Sequence, residues 1–200
     1  MSKNVFIVII VFLILFTGYF IFFPKKSIFN FSPNILGKEK LEIFPDTALA
    51  AKFDYLSKDG NSACSLSFYE SIPSMPDAAR LQGSCCSPMD AHRYVEQLTG
   101  LKKYANITEI PSDPYDIEVR LAKKLISYYN EKLTLQEQKA YDFAMENSDE
   151  KGPCCCKCWR WYVYGGLAKL LIKNYNFTGE QITEIWNLSD GYGGEGDHLH

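Results

Sequence analysis

The sequence has no excess of positive charge: 21 Lys and Arg stand against 24 Asp and Glu, a formal net charge of −3 over 200 residues. A nucleic-acid binder needs a cationic face for phosphate, so that class is excluded. Length excludes a large multidomain enzyme, because about 100–200 residues make one domain. Cysteine, at seven of 200 residues, is too scarce for a fold held only by bridges; small disulfide scaffolds carry more than about 8–10%. There is no P-loop, GxSxG or HExxH, and the acidic residues are scattered along helix faces, so no catalytic constellation points to an enzyme. Internal repeats and low-complexity runs are absent as well. What the chain does have is 46% hydrophobic residues, with 13 Tyr and 13 Phe, enough to bury a core.

One stretch lacks charge altogether. Val5 to Phe23 reads VFIVIIVFLILFTGYFIFF, and at about 1.5 Å of rise per residue it reaches close to the roughly 30 Å of a bilayer's hydrocarbon core. A cleaved signal peptide would end at a small-residue site, whereas Tyr19 to Phe23 run straight into Pro24, Lys25 and Lys26. Residues 1–26 are therefore expected to be an uncleaved single-pass membrane anchor. Lys25, Lys26, Lys38 and Lys40 outnumber Lys3 and by count alone would keep the following domain cytoplasmic. A four-residue leader followed at once by a spanning segment is instead the layout of an exported signal anchor, and the expectation is an extracytoplasmic domain. Removing Lys3, Lys25 and Lys26 leaves 18 basic residues against 24 acids, so that domain is more acidic than the whole chain. It will not adhere to anionic lipid, and the helix alone holds it at the membrane.

Residues 27–40 read as a tether interrupted by Pro33, Asn34 and Gly37, and residues 41–200 as a soluble, mainly helical, cysteine-rich domain. In its first part Asp46 is expected to cap a short helix through Tyr55, and Ser65 to Ile72 to form a strand. Beyond Gly83 about five helices are expected. One opens at Pro88 and runs to about Ala105. A second is capped by Asp113 before Pro114 and carries Ile117, Leu121, Leu125 and Tyr128. A third follows the Thr134–Glu137 capping box through Met145, a fourth spans Trp159 to Tyr175, and a fifth follows Thr178 and Gln181 with Ile182, Ile185 and Trp186.

Six of the seven cysteines fall at two joints: Cys85 and Cys86 before the Pro88 helix, and Cys154, Cys155, Cys156 and Cys158 before the Trp159 helix. A helix N-terminus favours thiolate over thiol, and thiolate is the form that binds metals and attacks disulfides. Lys157 and Arg160 strengthen that field. Cys154, Cys156 and Cys158 point the same way in an extended turn, so three sulfurs can converge on one soft ion with Cys85 or Cys86 as a fourth ligand. Such a site suits copper as Cu(I) or zinc, with an iron–sulfur cluster ranking behind them. His92 and Met89 on the Pro88 helix are further soft-site candidates, and His198 and His200 alternate in a glycine-rich tail. Cys64 is the expected leftover of the odd count, a small buried residue rather than a ligand. The run Trp159, Trp161, Tyr162 and Tyr164 is expected to pack into the core with Leu167, Leu170 and Leu171.

Pro153-Cys154-Cys155-Cys156-Lys157-Cys158 resembles the signature of the PCYCGC (CYCXC) type of membrane-tethered or lipid-anchored prokaryotic proteins. The resemblance holds at Pro153, Cys154, Cys156 and Cys158; Cys155 replaces Tyr and Lys157 replaces Gly. A spanning segment replaces that group's lipid-attachment cysteine. It covers about residues 135–190 and implies an extracytoplasmic, cysteine-dependent helical domain without assigning an activity.

The expected function is thus binding of a soft metal ion by a membrane-anchored protein through Cys85, Cys86, Cys154, Cys155, Cys156, Cys158 and His92. Its partners would be the membrane, through residues 5–23, and a protein at the membrane. Two rival readings remain: a membrane-tethered thiol–disulfide oxidoreductase, and a disulfide-braced interaction module with no chemistry and no metal. The absence of alternating βαβ units counts against the oxidoreductase.

Overall fold

A computed structural model describes residues 43–191, which form a mainly helical unit with one small antiparallel ribbon. The apolar run Val5 to Phe23 and the histidines His198 and His200 lie outside the described residues. Among the described residues no helix is long and apolar enough to cross a membrane.

The elements follow largely from their caps. Asp46 accepts a hydrogen bond from Leu49 N and starts α1 (Thr47–Asp59), as expected, though the helix runs past Tyr55. The expected strand over Ser65 to Ile72 is instead α2 (Leu66–Ser71). Ser65 accepts from Phe68 N, and this cap commits the segment to a helical turn that its apolar content alone left ambiguous. Strand β1 (Arg80–Gln82) follows. α3 (Ala91–Leu101) begins three residues beyond Pro88, because Asp90 caps it through Arg93 N.

The largest departure is at Asp113. Its carboxylate accepts from Tyr115 N and from the Tyr94 hydroxyl and pairs with Lys52, so it stabilises a turn rather than a helix start. Ile117 then lies in β2 (Asp116–Glu118), paired antiparallel to β1 with Leu81 opposite Ile117. α4 (Val119–Tyr129) starts only after the strand. Its first amides are satisfied by carbonyls of the segment before β1: Val119 N donates to Ala79 O and Arg120 N to Asp77 O. α5 (Leu135–Asn147) and α7 (Gly179–Asn187) carry the two capping boxes as expected, and α6 (Trp159–Tyr175) ends on Asn176 in the left-handed conformation.

α6 is the central element. Val163, Tyr164, Leu167, Ala168, Leu170 and Leu171 are all buried, as expected for its apolar run, and they pack with Leu125 of α4, Ala144 of α5 and Ile182 and Trp186 of α7. A second, smaller core joins Phe44, Phe53 and Leu56 to Tyr94 and Tyr115, with Met89 packed against it. The closest helix contact is between α4 and α6 at Gly166, where a Cβ would stand 1.8 Å from Leu125 O. Gly166→Ala is therefore expected to force the helices apart and cost about 3 kcal/mol, at the upper end for an overpacked core. Equilibrium urea unfolding checks this; a midpoint equal to wild type would show that the two helices do not pack this closely.

Candidate metal centre

Two loops and one remote segment bring seven sulfurs together. The first loop, Gly83 to Asp90, leaves β1 with Gly83 N bonded to Tyr115 O. It is then pinned by Ser84, whose hydroxyl donates to Gly191 O at 2.7 Å. Gly191 belongs to a segment held in turn by Asp190, which accepts from Gln97 at 2.9 Å and pairs with Arg93 at 3.1 Å. Burial pushes the Asp190 carboxyl up, against the pull of Arg93. Cys85 and Cys86 therefore sit in an anchored loop before α3, rather than in its first turn, where the acidic cap Asp90 stands instead.

The second loop turns sharply after α5. Ser148 Oγ accepts from Gly152 N at 2.8 Å, and Lys151 and Gly152 both take positive φ values, 51° and 156°. Glycine is required at 152 for a second reason: a Cβ there would lie 2.8 Å from the Trp161 ring. The chain is thus directed through Pro153 into Cys154, Cys155 and Cys156, and Cys158 is the N-cap residue of α6 with no cap hydrogen bond from its side chain. A sulfur there meets the positive end of the helix dipole.

Cys64 is the seventh. It is exposed and close to Cys156, with the two sulfurs 2.9 Å apart, where a buried bystander was expected. Two contacts bring it there. Ser62 N donates to Gln82 O, extending the pairing beside β1, and Ser62 Oγ accepts from Trp159 Nε1 at 2.8 Å. Nothing local to Cys64 signals this; the polar pair Asn61–Ser62 that docks it is the only trace in the sequence.

The sulfurs form three groups of four whose members all lie within 4.8 Å of one another: Cys64, Cys86, Cys156 and Cys158; Cys85, Cys86, Cys154 and Cys158; and Cys86, Cys154, Cys155 and Cys156. Neighbouring pairs include Cys85–Cys158 and Cys86–Cys156 at 3.5 Å and Cys154–Cys158 at 3.9 Å. Four thiolates bound tetrahedrally at about 2.3 Å stand about 3.8 Å apart, so the spacing fits a single soft ion between each four. Within each four the sulfurs stand closer together than cysteines that surround the inorganic sulfide core of an iron–sulfur cluster. His92 is exposed on α3 and belongs to none of these groups, and Met89 packs in the second core.

The electrostatic setting is dominated by Arg160. Its side chain is completely buried, donating to Pro114 O at 2.7 Å and Ser189 O at 2.8 Å, with its guanidinium about 5 Å from the ring centres of Tyr115, Trp159 and Tyr164. Burial works against its charge, but Tyr164, Cys85, Tyr115 and Cys154 outweigh this and hold its pKa above the ordinary value. Lys157, by contrast, is exposed and lies over the Trp161 ring.

Protons are unevenly shared among the thiols. Hydrogen bonds from Cys155, Cys156, Cys158 and Cys85 hold Cys154 far below the ordinary thiol range. Cys158 is drawn up by Cys154 but further down by Cys85 and Cys86, to about 6. Cys85, Cys86 and Cys156 are pushed up, first of all by their hydrogen bonds to Cys154. Negative charge thus collects on Cys154 and Cys158 while their neighbours act as donors. Because Cys158 is depressed below an unfolded value of about 8.5, its contribution to stability is complete above that pH and is lost as pH falls through about 6. The metal-free protein should accordingly show thiolate ultraviolet absorbance at neutral pH, and the share contributed by Cys158 should be lost as pH falls through about 6. A thiolate signal appearing only in alkali would contradict this.

No protein-family model, curated protein or solved structure matches this chain.

Proposed function

We propose that this protein binds a soft metal ion, Cu(I) or Zn(II), through the clustered thiolates of Cys85, Cys86, Cys154, Cys155, Cys156 and Cys158, with Cys64 added at the exposed edge. The observation that carries this reading is the donor set: cysteine sulfurs alone, in groups of four at single-ion spacing, beside a buried guanidinium. Soft thiolates select soft ions, and among the described residues the groups contain no imidazole or carboxylate that would favour a harder one. The ion would supply charge neutralisation for thiolates that are otherwise crowded together. The chain's own residues position the sulfurs, hold protons on Cys85, Cys86 and Cys156 until they are displaced, and offer a fixed positive charge at Arg160.

The reading includes the apolar segment Val5 to Phe23 as a membrane anchor, with the domain on the extracytoplasmic side. A second reading has one specific support. The sulfurs of Cys64 and Cys156 stand 2.9 Å apart and Cys64 is exposed, which suits a thiol pair that oxidises and is reduced by a partner.

One purification separates these readings. The full chain, extracted in detergent without oxygen, should carry stoichiometric copper or zinc by elemental analysis, and Cys156→Ser should lose at least half of it. No metal with a single free thiol would replace the proposal by three structural bridges, and a thiol pair cycling with mild reductant would favour the redox reading. His92→Ala should leave both metal content and thiol count at wild-type values. A loss of metal in that variant would show that imidazole belongs to the ligand set.

A further inference from the structure

The three four-sulfur groups are not separate sites. Cys86 belongs to all three, Cys154, Cys156 and Cys158 to two each, and the other cysteines to one. One ion takes at most four thiolates, which would leave three more sulfurs beside it, several of the seven being half-buried. Occupying every group from seven sulfurs requires that sulfurs be shared. A thiolate sulfur retains lone pairs after its first metal bond, so sharing is chemically ordinary for it. Resting on the reading above, we propose that the site is polynuclear, a single thiolate-bridged cluster of several Cu(I) ions in which Cys86 is the bridging ligand common to all of them.

Copper fits this arrangement better than zinc. Zn(II) in structural sites demands four ligands, so three zinc ions on seven sulfurs would need three further thiolates, besides a common Cys86, each to bridge two ions. Cu(I) is content with fewer thiolates, and seven sulfurs then suffice for three or more ions. Position supports the roles. Cys86 lies 3.5 Å from Cys156 and 3.3 Å from Cys155 across the two loops, and 3.4 Å from Cys85 within its own. Cys64, exposed and in one group only, is a peripheral ligand on the solvent side. Loading is a ligand exchange: each Cu(I) leaves its carrier for protein sulfur, each thiol that binds releases its proton to solvent, and copper stays Cu(I) throughout.

The test is anaerobic titration of the metal-free full chain with Cu(I) buffered by a chromophoric chelator, read as ions bound per chain and as the emission of solvent-shielded copper–thiolate clusters. Wild type is expected to bind about three ions and to emit. Cys85→Ser should lose no more than one ion and keep emission, whereas Cys86→Ser should lose two or more and the emission with them. Circular dichroism of each variant confirms that it is folded, and should Cys86→Ser not fold, the wild-type stoichiometry alone decides. Saturation of wild type at one ion would overturn the polynuclear cluster while leaving soft-metal binding intact. No binding at all would overturn the proposed function itself. Equal losses in folded Cys86→Ser and Cys85→Ser would remove Cys86 from its bridging role.

Discussion

The domain is organised around a positive charge taken entirely out of water. A buried guanidinium is tolerable only if its hydrogen bonds and its charge are answered, because the desolvation penalty runs to several kcal/mol per ion. Arg160 has its hydrogen bonds answered by two backbone carbonyls, from the turn at Pro114 and from the segment after α7. No carboxylate forms an ion pair with it among the described residues, and its Nε finds no partner there. What answers its charge is the surrounding ring faces and the thiolate of Cys154. A cation placed in this way calls for negative charge nearby, and a thiolate cluster supplies it.

The same residue explains why distant segments meet. By bonding to Pro114 O and Ser189 O, Arg160 fixes the turn before β2 and the chain leading to Asp190 and Gly191 on the same side of α6. Gly191 O then accepts from Ser84, next to Cys85, and Trp159 at the start of α6 donates to Ser62, two residues before Cys64. The first turn of α6 thus carries Cys158, the buried charge and the anchor for the seventh cysteine. Rigid support of this kind matters for the proposed metal site, whose ligands would have to be held at bonding geometry by their neighbours rather than by the ion alone.

Much of this was legible in the sequence, for local reasons. The capping boxes at Thr134 and Thr178, the Asp46 cap and the apolar face of Trp159 to Tyr175 are written within a few residues, and each gave the expected helix. The two cysteine clusters were equally plain, and the structure brings them together. The misreadings are non-local. Asp113 has the look of a helix cap, but Lys52 and Tyr94 occupy its carboxylate and β1 claims the residues after it. Ser65 to Ile72 has strand-like content but a helical cap. Cys64 was set aside because its place depends on a hydrogen bond from Trp159, almost a hundred residues away. His92 has the right chemistry for a ligand and stands on the exposed side of α3, outside every group of sulfurs.

The central claim is that metal is held by sulfur alone. X-ray absorption at the edge of the metal that copurifies with the full chain tests it most directly. The account predicts a first coordination shell fitted by sulfur at about 2.2–2.3 Å with no nitrogen or oxygen. A shell requiring imidazole nitrogen or carboxylate oxygen would contradict it.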